Sequence, residues 1–398
     1  MGEHTRTEVR LRDSRPGSLG ELIHAAARRA IEVAVDEELT AALGVGRYAR
    51  DVGRGGYRNG RRPRTLTGPL TLTLPRATLF RPTGMREWTS ALVPRYQRRL
   101  REVNEAVVAT YLAGGNTRRL RGALAPLLKA APLSKSAVSR VVGALKAELE
   151  AWRTRSLAEL DVFGLYLDAI ALRVRSAGKV TSIPVLGVVA VLADGQKQLV
   201  ALELCGGESF EAWKGCLDDL VTRGHGAPVV CVIDGRPGLR KAVGLVWPQA
   251  RVQRCAVHKL RNLERKAPKH ALAELRADFH RVVYAGSLAA AQSAVSAFER
   301  KWRTRCPSVA RSLQEGGEEL LTFFAFPKSQ WKTLRTTNVI ERLHEEFRRR
   351  VKTQGSLPTE DAALVLLFGL VASGQIRLRR VDGWRQIPAV LSQQRTAA

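Results

Sequence analysis

Apolar residues recur at helical intervals through SLGELIHAAARRAIEVAVDEELTAALG, which opens with Ser18 and Glu21 at capping-box spacing and closes on Gly44. That pattern predicts one amphipathic helix with a packing or dimerising face. Residues 50–64 replace it with glycine and arginine and read as a loop, and LTGPLTLTLPRATLF then alternates as a short β pair ended by Pro75 would. From Arg95 the helical period returns in RYQRRLREVNEAVVATYLAG, NTRRLRGALAPLLKAA and LSKSAVSRVVGALKAELEAW. Gly114 and Gly115 end the first of these helices, Pro132 closes the second, and Asn116 and Ser134 are candidate N-caps. A helix-turn-helix, with Lys135 and Arg140 on the helix that enters the major groove, fits this stretch. An ordinary three-helix bundle fits it equally.

After residue 160 the period changes to that of strands. VFGLYLDAIALRVR, VTSIPVLGVVAVLA and KQLVALELC are consecutive strands, SFEAWKGCLDDLVTRG is a helix, and APVVCVID is an apolar run of the kind buried on both faces. A helix, GLRKAVGLVW, and a further strand, ARVQRCAVH, complete the order βββαβαβ. Three leading strands suit an antiparallel meander and the later ones suit parallel crossovers, so the expectation is a mixed α/β sheet covered by helices. RNase H-like folds share that order. Residues 262–332 read as all helix, TTNVIERLHEEFRRRVK as a charged amphipathic helix capped by Thr336, Thr337 or Asn338, and SQQRTAA as a frayed tail. The expected divisions are a helical segment at 1–50, a basic loop and β module at 51–94, a helical DNA-binding region at 95–155, a sheet core at 156–262, an all-helical insertion at 263–332, and the last part of the core at 333–398.

Composition narrows the partner. The 398 residues carry 65 Lys+Arg against 37 Asp+Glu, a formal charge of +28, with the bases concentrated in GRGGYRNGRRPR, RYQRRLR and RLHEEFRRRVK. Such a chain calls for a polyanion, and nucleic acid fits better than a membrane surface because no basic amphipathic anchor is visible. There is no run of eighteen uncharged apolar residues and no apolar signal core, which predicts a cytoplasmic protein. Five irregularly spaced cysteines suit reduced thiols.

Three acids carry candidate chemistry. Asp168 interrupts an apolar strand, and a carboxylate there needs a partner or a cation. Asp234 stands at the C-terminal edge of another strand, where sheets with α-connected strands bind ligands. The proposed topology sets these two strands side by side. Two like charges at close range call for a cation such as Mg²⁺, with Mn²⁺ as its substitute. A third acid would complete a two-metal site for phosphodiester chemistry. Glu341, in the first turn of a helix with Asn338 on the same face, is the choice over Glu345 and Glu346. Each has a structural alternative: a turn at Asp234-Gly235, a pair with Arg173 or Arg175 for Asp168, a helical ion pair for Glu341. Arg236, Lys259, Arg261, Arg342, Arg348, Arg349 and Arg350 are candidate phosphate contacts. Cys255 and His258 stand at C-x₂-H spacing without a second ligand pair, so they read as support for the acids, and zinc is disfavoured.

With these residues in view, the sequence resembles the Mutator-type bacterial insertion-sequence transposases, a DDE family. The blocks GYRNG, GGNTRRL, LSKSAVSR, LDAIALRVR, VIDGRPGLRKAV, WPQARVQRCAVHKLRN and TTNVIERLHEEFRRR stand in the family's order from about Tyr57 to about Leu367. The resemblance implies an RNase H-like catalytic core with a helical insertion before the final acid. It assigns the metal-binding acids to Asp168, Asp234 and Glu341, and carries the C-x₂-H feature onto Cys255 and His258. His344 departs from it, since the family more often has asparagine after IERL.

The implied function is a DNA transposase that binds the terminal inverted repeats of its element, cuts DNA by metal-dependent hydrolysis and transfers the freed 3′ strand. It would act as a homodimer or larger assembly beside the bacterial nucleoid. A structure-specific nuclease on the same fold, a domesticated DNA-binding regulator with an inactive site and a zinc-stabilised architectural protein are the alternatives.

Overall fold

The computed structural model describes residues 19–49, 51–65, 71–95, 108–112, 135–176, 179–352, 357 and 359–397. The chain divides into two compact units, Met1–Tyr111 with Gly115–Val141, and Leu112–Gly114 with Val142–Ala398.

In the first unit, helix α1 (Leu19–Leu43) covers an antiparallel sheet of order β1-β2-β3, formed by β1 (Gly56–Thr65), β2 (Thr71–Arg81) and β3 (Gly84–Glu87). Alternation along β2 turns Leu72, Leu74, Ala77 and Leu79 inward, where they meet Val35, Leu39 and Leu43 of α1. The loop expected at 50–64 is therefore wrong from Gly56 onward. Arginines and a glycine mask the strand period in GYRNGRRPRT, whose residues are nearly all exposed or half-buried. Pro75 does not end a strand either. It lies opposite Arg61, at a register shift between Arg58 and Arg61, and such an irregularity tolerates a residue that lacks a ladder N–H.

Residues 108–112 are helical, and helix α2 covers Lys135–Thr154. Asn116, Gly115, Pro132 and Ser134, which would delimit a helix-turn-helix, lie outside the described residues.

The second unit is built on a five-stranded mixed sheet of order β6-β5-β4-β7-β8. Its strands are β4 (Val162–Ser176), β5 (Lys179–Leu192), β6 (Lys197–Leu204), β7 (Val230–Ile233) and β8 (Arg251–Arg254). β4, β5 and β6 pair antiparallel, and β4, β7 and β8 pair parallel. Helices α3 (Phe210–Thr222) and α4 (Pro237–Val246) pack on the sheet, joining Trp213, Leu217, Leu239 and Val243 to Leu165, Leu167, Val188 and Ile233 in one core. All of VCVI in β7 is buried, which explains its unbroken apolar run.

The strand expected over ARVQRCAVH stops at Arg254. β7 ends opposite it at Ile233, whose carbonyl accepts the Cys255 N–H at 2.8 Å, so Cys255 becomes the cap of helix α5 (Ala256–Lys266) and His258 is helical. Helices α6 (Leu272–Val283), α7 (Leu288–Arg305) and α8 (Pro307–Gln314) follow and share a separate core around Leu263, Phe279, Phe298 and Trp302. Within it Asp278 accepts from Trp302 Nε1 at 3.0 Å. The short α9 (Trp331–Leu334) leads to α10 (Asn338–Lys352), α11 (Glu360–Ala372) and α12 (Ile387–Ala397). The frayed tail expected at SQQRTAA is instead helical as far as Ala397, with buried Ile387 and Leu391 anchoring the helix ahead of it. Among the described residues no helix is long and apolar enough to cross a membrane.

Candidate active site

The pairing of β4 with β7 brings two carboxylates together. Leu167 stands opposite Ile233 in the parallel register, so Asp168 and Asp234 are the next residues on neighbouring strands. Their side chains keep only 13% and 11% of their exposure. Asp168 Oδ1 accepts the Ala169 N–H at 2.9 Å. Asp234 accepts the Arg236 N–H at 2.9 Å on Oδ1 and Arg236 Nε at 3.0 Å on Oδ2. Burial pushes the Asp234 carboxyl above its ordinary range and the Asp168 charge adds to that, outweighing the Arg236 contacts and His258. Gly235 is required at the turn: its φ is +88°, and a Cβ would lie 3.1 Å from the Arg254 side chain.

Helix α10 carries Glu341, the expected third acid. Its Glu341 and His344 are separated by i,i+3 spacing and share a face, and His344 Nδ1 lies 3.2 Å from Asp168 Oδ2. Glu341 thus stands about one helical turn along α10 from the residue that approaches Asp168, and its own near neighbours are Cys255 and His258. Glu341 Oε1 accepts the Thr337 hydroxyl at 2.9 Å and stands 3.7 Å from His258 Nε2. Of the competing acids, Glu345 is exposed and Glu346 pairs with Arg349 at 3.1 Å.

His258 ties the group together from α5. The hydrogen bond to the Cys255 sulfur, opposed by burial and reinforced by the charges of Cys255, Asp168 and Glu341, pushes it up to about 9, so it is an imidazolium at neutral pH. Burial raises the Cys255 thiol, but hydrogen bonds from His258 and Thr337 bring it below its ordinary value. Cys255 Sγ, a His258 ring nitrogen and a Glu341 oxygen lie within 4.8 Å of one another. The Cys255 sulfur already accepts from the Thr337 N–H at 3.3 Å and has the Thr337 hydroxyl at 3.1 Å. Asp168 and Asp234 offer hard oxygen donors, the type that Mg²⁺ and Mn²⁺ take.

A cleft of about 1120 Å³ opens over Asp168, Asp234 and His258. Of the predicted phosphate contacts, Arg236, Lys259, Arg261 and Arg348 line it, and so do Arg240, Lys241 and Asn262, which the sequence also offers, and Arg265, which it does not. Arg236 is held between Asp234 and Glu208, with Glu208 Oε2 at 2.8 Å, and Lys259 is largely buried. Arg342, Arg349 and Arg350 are not among the cleft's lining residues. Arg342 instead acts electrostatically on Lys197 and Asp382. Asn338 is the exposed first residue of α10, Lys135 is the first residue of α2, and Arg140 is exposed on that helix.

Three residues of the site escape the sequence pattern. Glu208, 10% exposed, has its carboxyl raised by burial, with Asp234 and Asp168 adding to the shift and Arg236 opposing it. His344 is 1% exposed and packs over Gly187, where a Cβ would lie 3.2 Å from its Nε2. Thr337 is legible from sequence only as a cap. For Glu208 the one available signal is its place before Ser209, the N-cap of α3.

The family model described as "Transposase, Mutator family" matches residues 3–377. The transposase for insertion sequence element ISRM5 of Rhizobium meliloti (strain 1021) is 36% identical over 364 residues, covering 90% of this chain and 87% of that protein. The transposase for insertion sequence element IS1081 of Mycobacterium tuberculosis (strain ATCC 25618 / H37Rv) is 31% identical over 373 residues, covering 93% and 88%. Among solved structures, a chain of the Drosophila P element transposase strand transfer complex superimposes with a TM-score of 0.39 at 9% identity, over 70% of this chain and 92% of that one. The family match spans both compact units and takes in Asp168, Asp234 and Glu341, and with it the chain belongs to the Mutator family of transposases.

Proposed function

We propose that this transposase has an RNase H-like catalytic core, recognises the terminal inverted repeats of an insertion sequence, and cleaves and transfers DNA strands by two-metal phosphoryl transfer. The observation that carries the reading is that Asp168 and Asp234 directly follow Leu167 of β4 and Ile233 at the end of β7, which are register partners. The sheet supports it too: three antiparallel strands followed by two parallel ones, with the helices α5–α8 intervening before α10.

Asp168, Asp234 and Glu341 are the residues that would hold Mg²⁺ or Mn²⁺, and the Asp234 carboxyl, raised first by burial and then by the Asp168 charge, would be relieved by a cation bound there. When bound, such ions neutralise the carboxylates, lower the pKa of an attacking water or 3′-hydroxyl and stabilise the leaving oxygen. Thr337 and His258 hold the Glu341 carboxylate in orientation, and the His258 imidazolium keeps its proton at Nε2 beside that acid. His344 Nδ1 stands 3.2 Å from Asp168 Oδ2, the oxygen that the Ala169 N–H does not occupy, without hydrogen-bond geometry, and a small shift of either side chain would let it orient that carboxylate. Arg261, Arg348 and Arg265 on the cleft wall bind backbone phosphates. Arg236 pairs with both Asp234 and Glu208, and a cation held by the acids would compete with it for Asp234. Handling two element ends together implies a homodimer or larger assembly, acting on DNA in the cytoplasm.

The test incubates the purified chain with duplexes ending in the inverted repeats that flank its reading frame, either intact or already nicked at the 3′ end, with Mg²⁺. Joined products from both substrates are expected. Cleavage without joining of pre-cut ends would replace the reading with a nuclease, and no metal-dependent cleavage at all would overturn it.

A further inference from the structure

The first unit contains a groove that none of the catalytic argument uses. It has a volume of about 530 Å³ and is lined by α1 at Asp36 and Leu43, by residues 45–49 and Arg54, by strand β1 and by Pro75. Arg47, Arg54, Arg58 and Arg61 line it against a single carboxylate, Asp36, giving a local charge of +3. Asp36 is engaged by Arg58 at 3.8 Å and by Arg61, and Arg58 Nη2 also donates to Thr40 Oγ1 at 2.8 Å, so α1 fixes these two guanidinium groups along the floor. Among the described residues no carboxylate pairs with Arg47 or Arg54. Burial, followed by the Arg47 charge, holds the Arg58 guanidinium below its ordinary value.

Tyr48 stands at the rim. It is the one non-glycine among the described residues with positive φ, at 69°, and its side chain is 90% exposed. A left-handed conformation is unfavourable for a residue with a Cβ, and a ring that stands in water recovers nothing from the protein's own core. The ring carries the Arg47 guanidinium 5.2 Å from its centroid. A displayed aromatic ring beside Arg47 and Arg54, which no carboxylate among the described residues pairs with, is equipped for a polyanion that also offers flat, weakly polar surface.

We propose that this groove docks the phosphate backbone of duplex DNA, with Arg47 and Arg54 on phosphates and the Tyr48 ring against the adjoining sugar edge. The site rests on the reading that the chain acts on DNA ends. It adds a DNA-facing surface on the first unit, in a stretch whose glycines and arginines read as a plain loop. Because it binds phosphate and sugar, it contributes affinity and register and reads no base.

The test uses the full chain and two variants, Arg47→Gln/Arg54→Gln and Tyr48→Gly, with fluorescence anisotropy on an element-end duplex and a random duplex over a range of NaCl concentrations. For the arginine variant the slope of log Kobs against log salt should fall by about 0.9 for each phosphate that is no longer neutralised, and affinity should drop for both duplexes alike. Tyr48→Gly removes the left-handed strain, so it should keep or raise the thermal midpoint while weakening both complexes. Unchanged slopes and affinities overturn the proposal, as does a weakening confined to the element end with an unchanged slope. Joining assays at saturating protein separate this from the catalytic reading. If the variants bind poorly but wild type shows no metal-dependent cleavage, the catalytic reading falls and the groove stands. If cleavage is normal and the variants bind as wild type does, the groove falls alone.

Discussion

His344 on α10 brings Nδ1 to 3.2 Å from Asp168 Oδ2 on β4, so the helix that carries Glu341 also sets a buried ring nitrogen, without a hydrogen-bond partner of its own among the described residues, beside the Asp168 carboxylate. Such partners usually matter by about 10- to 100-fold in metal affinity or activity. His344→Leu keeps the burial and removes the ring nitrogens. It is expected to lower the joining rate by about that factor and to raise the Mg²⁺ concentration needed for half-maximal rate. His344→Asn, which retains a polar side chain able to face Asp168, should recover most of the rate. A variant that melts earlier but responds to Mg²⁺ as wild type does would show that His344 only packs.

Gly187 allows that approach. A Cβ there would stand 3.2 Å from His344 Nε2 and 3.3 Å from Ile340 Cδ1, tighter than ordinary packing. Gly187→Ala is expected to push α10 away from β5, costing roughly 1 to 3 kcal/mol of stability by overpacking and reducing joining more than DNA binding. Denaturant unfolding and a joining assay on the same preparation check both parts. A stability gain of the sort strands often show when glycine is replaced would mean that the helix accommodates the methyl group.

Much of this site is legible in the sequence because its parts obey local rules. The apolar run ending in Asp234 and the apolar strand interrupted at Asp168 identify themselves by period, and the βββαβαβ order sets them on neighbouring strands. Glu341 is legible from its place in a helix's first turn. What stays hidden depends on neighbours remote in sequence: Glu208 beside Arg236, His344 over Gly187, and Thr337 against the Cys255 sulfur. β1 escapes for another reason. As the outer strand of a small sheet it carries arginines where a buried strand would carry apolar residues, so hydropathy alternation has nothing to register.

Asp234 is predicted to be a liability to the metal-free fold. Its carboxyl is raised above the ordinary value by burial, then by the Asp168 charge, so the folded state binds more protons than the unfolded one between the two values and stability falls as pH rises through that window. Asp234→Asn should therefore raise the thermal midpoint at neutral pH without metal, with the gain vanishing below about pH 4. Mg²⁺ should stabilise wild type and leave the variant unchanged, while joining falls by at least about 100-fold. Calorimetry with and without Mg²⁺ reads the first part. A variant less stable than wild type at neutral pH would mean that the bonds with Arg236 outweigh burial.

Lys259 gives the opposite pH dependence. Its ammonium lies on the wall of the cleft but is only 7% exposed, and burial, opposed by the Glu315 charge and reinforced by those of Arg254 and Lys266, lowers it from 10.5 to about 8. Below that value both folded and unfolded chains are protonated and the folded state bears the full desolvation penalty. Between about 8 and 10.5 the folded state has released a proton that the unfolded chain keeps, so this residue's contribution makes stability rise with pH. Lys259→Met, similar in volume and uncharged, is expected to stabilise the fold by roughly 1 to 3 kcal/mol at neutral pH, with the difference shrinking to nothing above about pH 10.5. Its binding to DNA should weaken, with a smaller salt slope, because the cleft wall then neutralises fewer phosphates. Urea unfolding across that pH range tests the argument. A stability difference that does not change with pH would show that packing rather than charge separates the two proteins, and an unchanged salt slope would remove Lys259 from the DNA-binding wall.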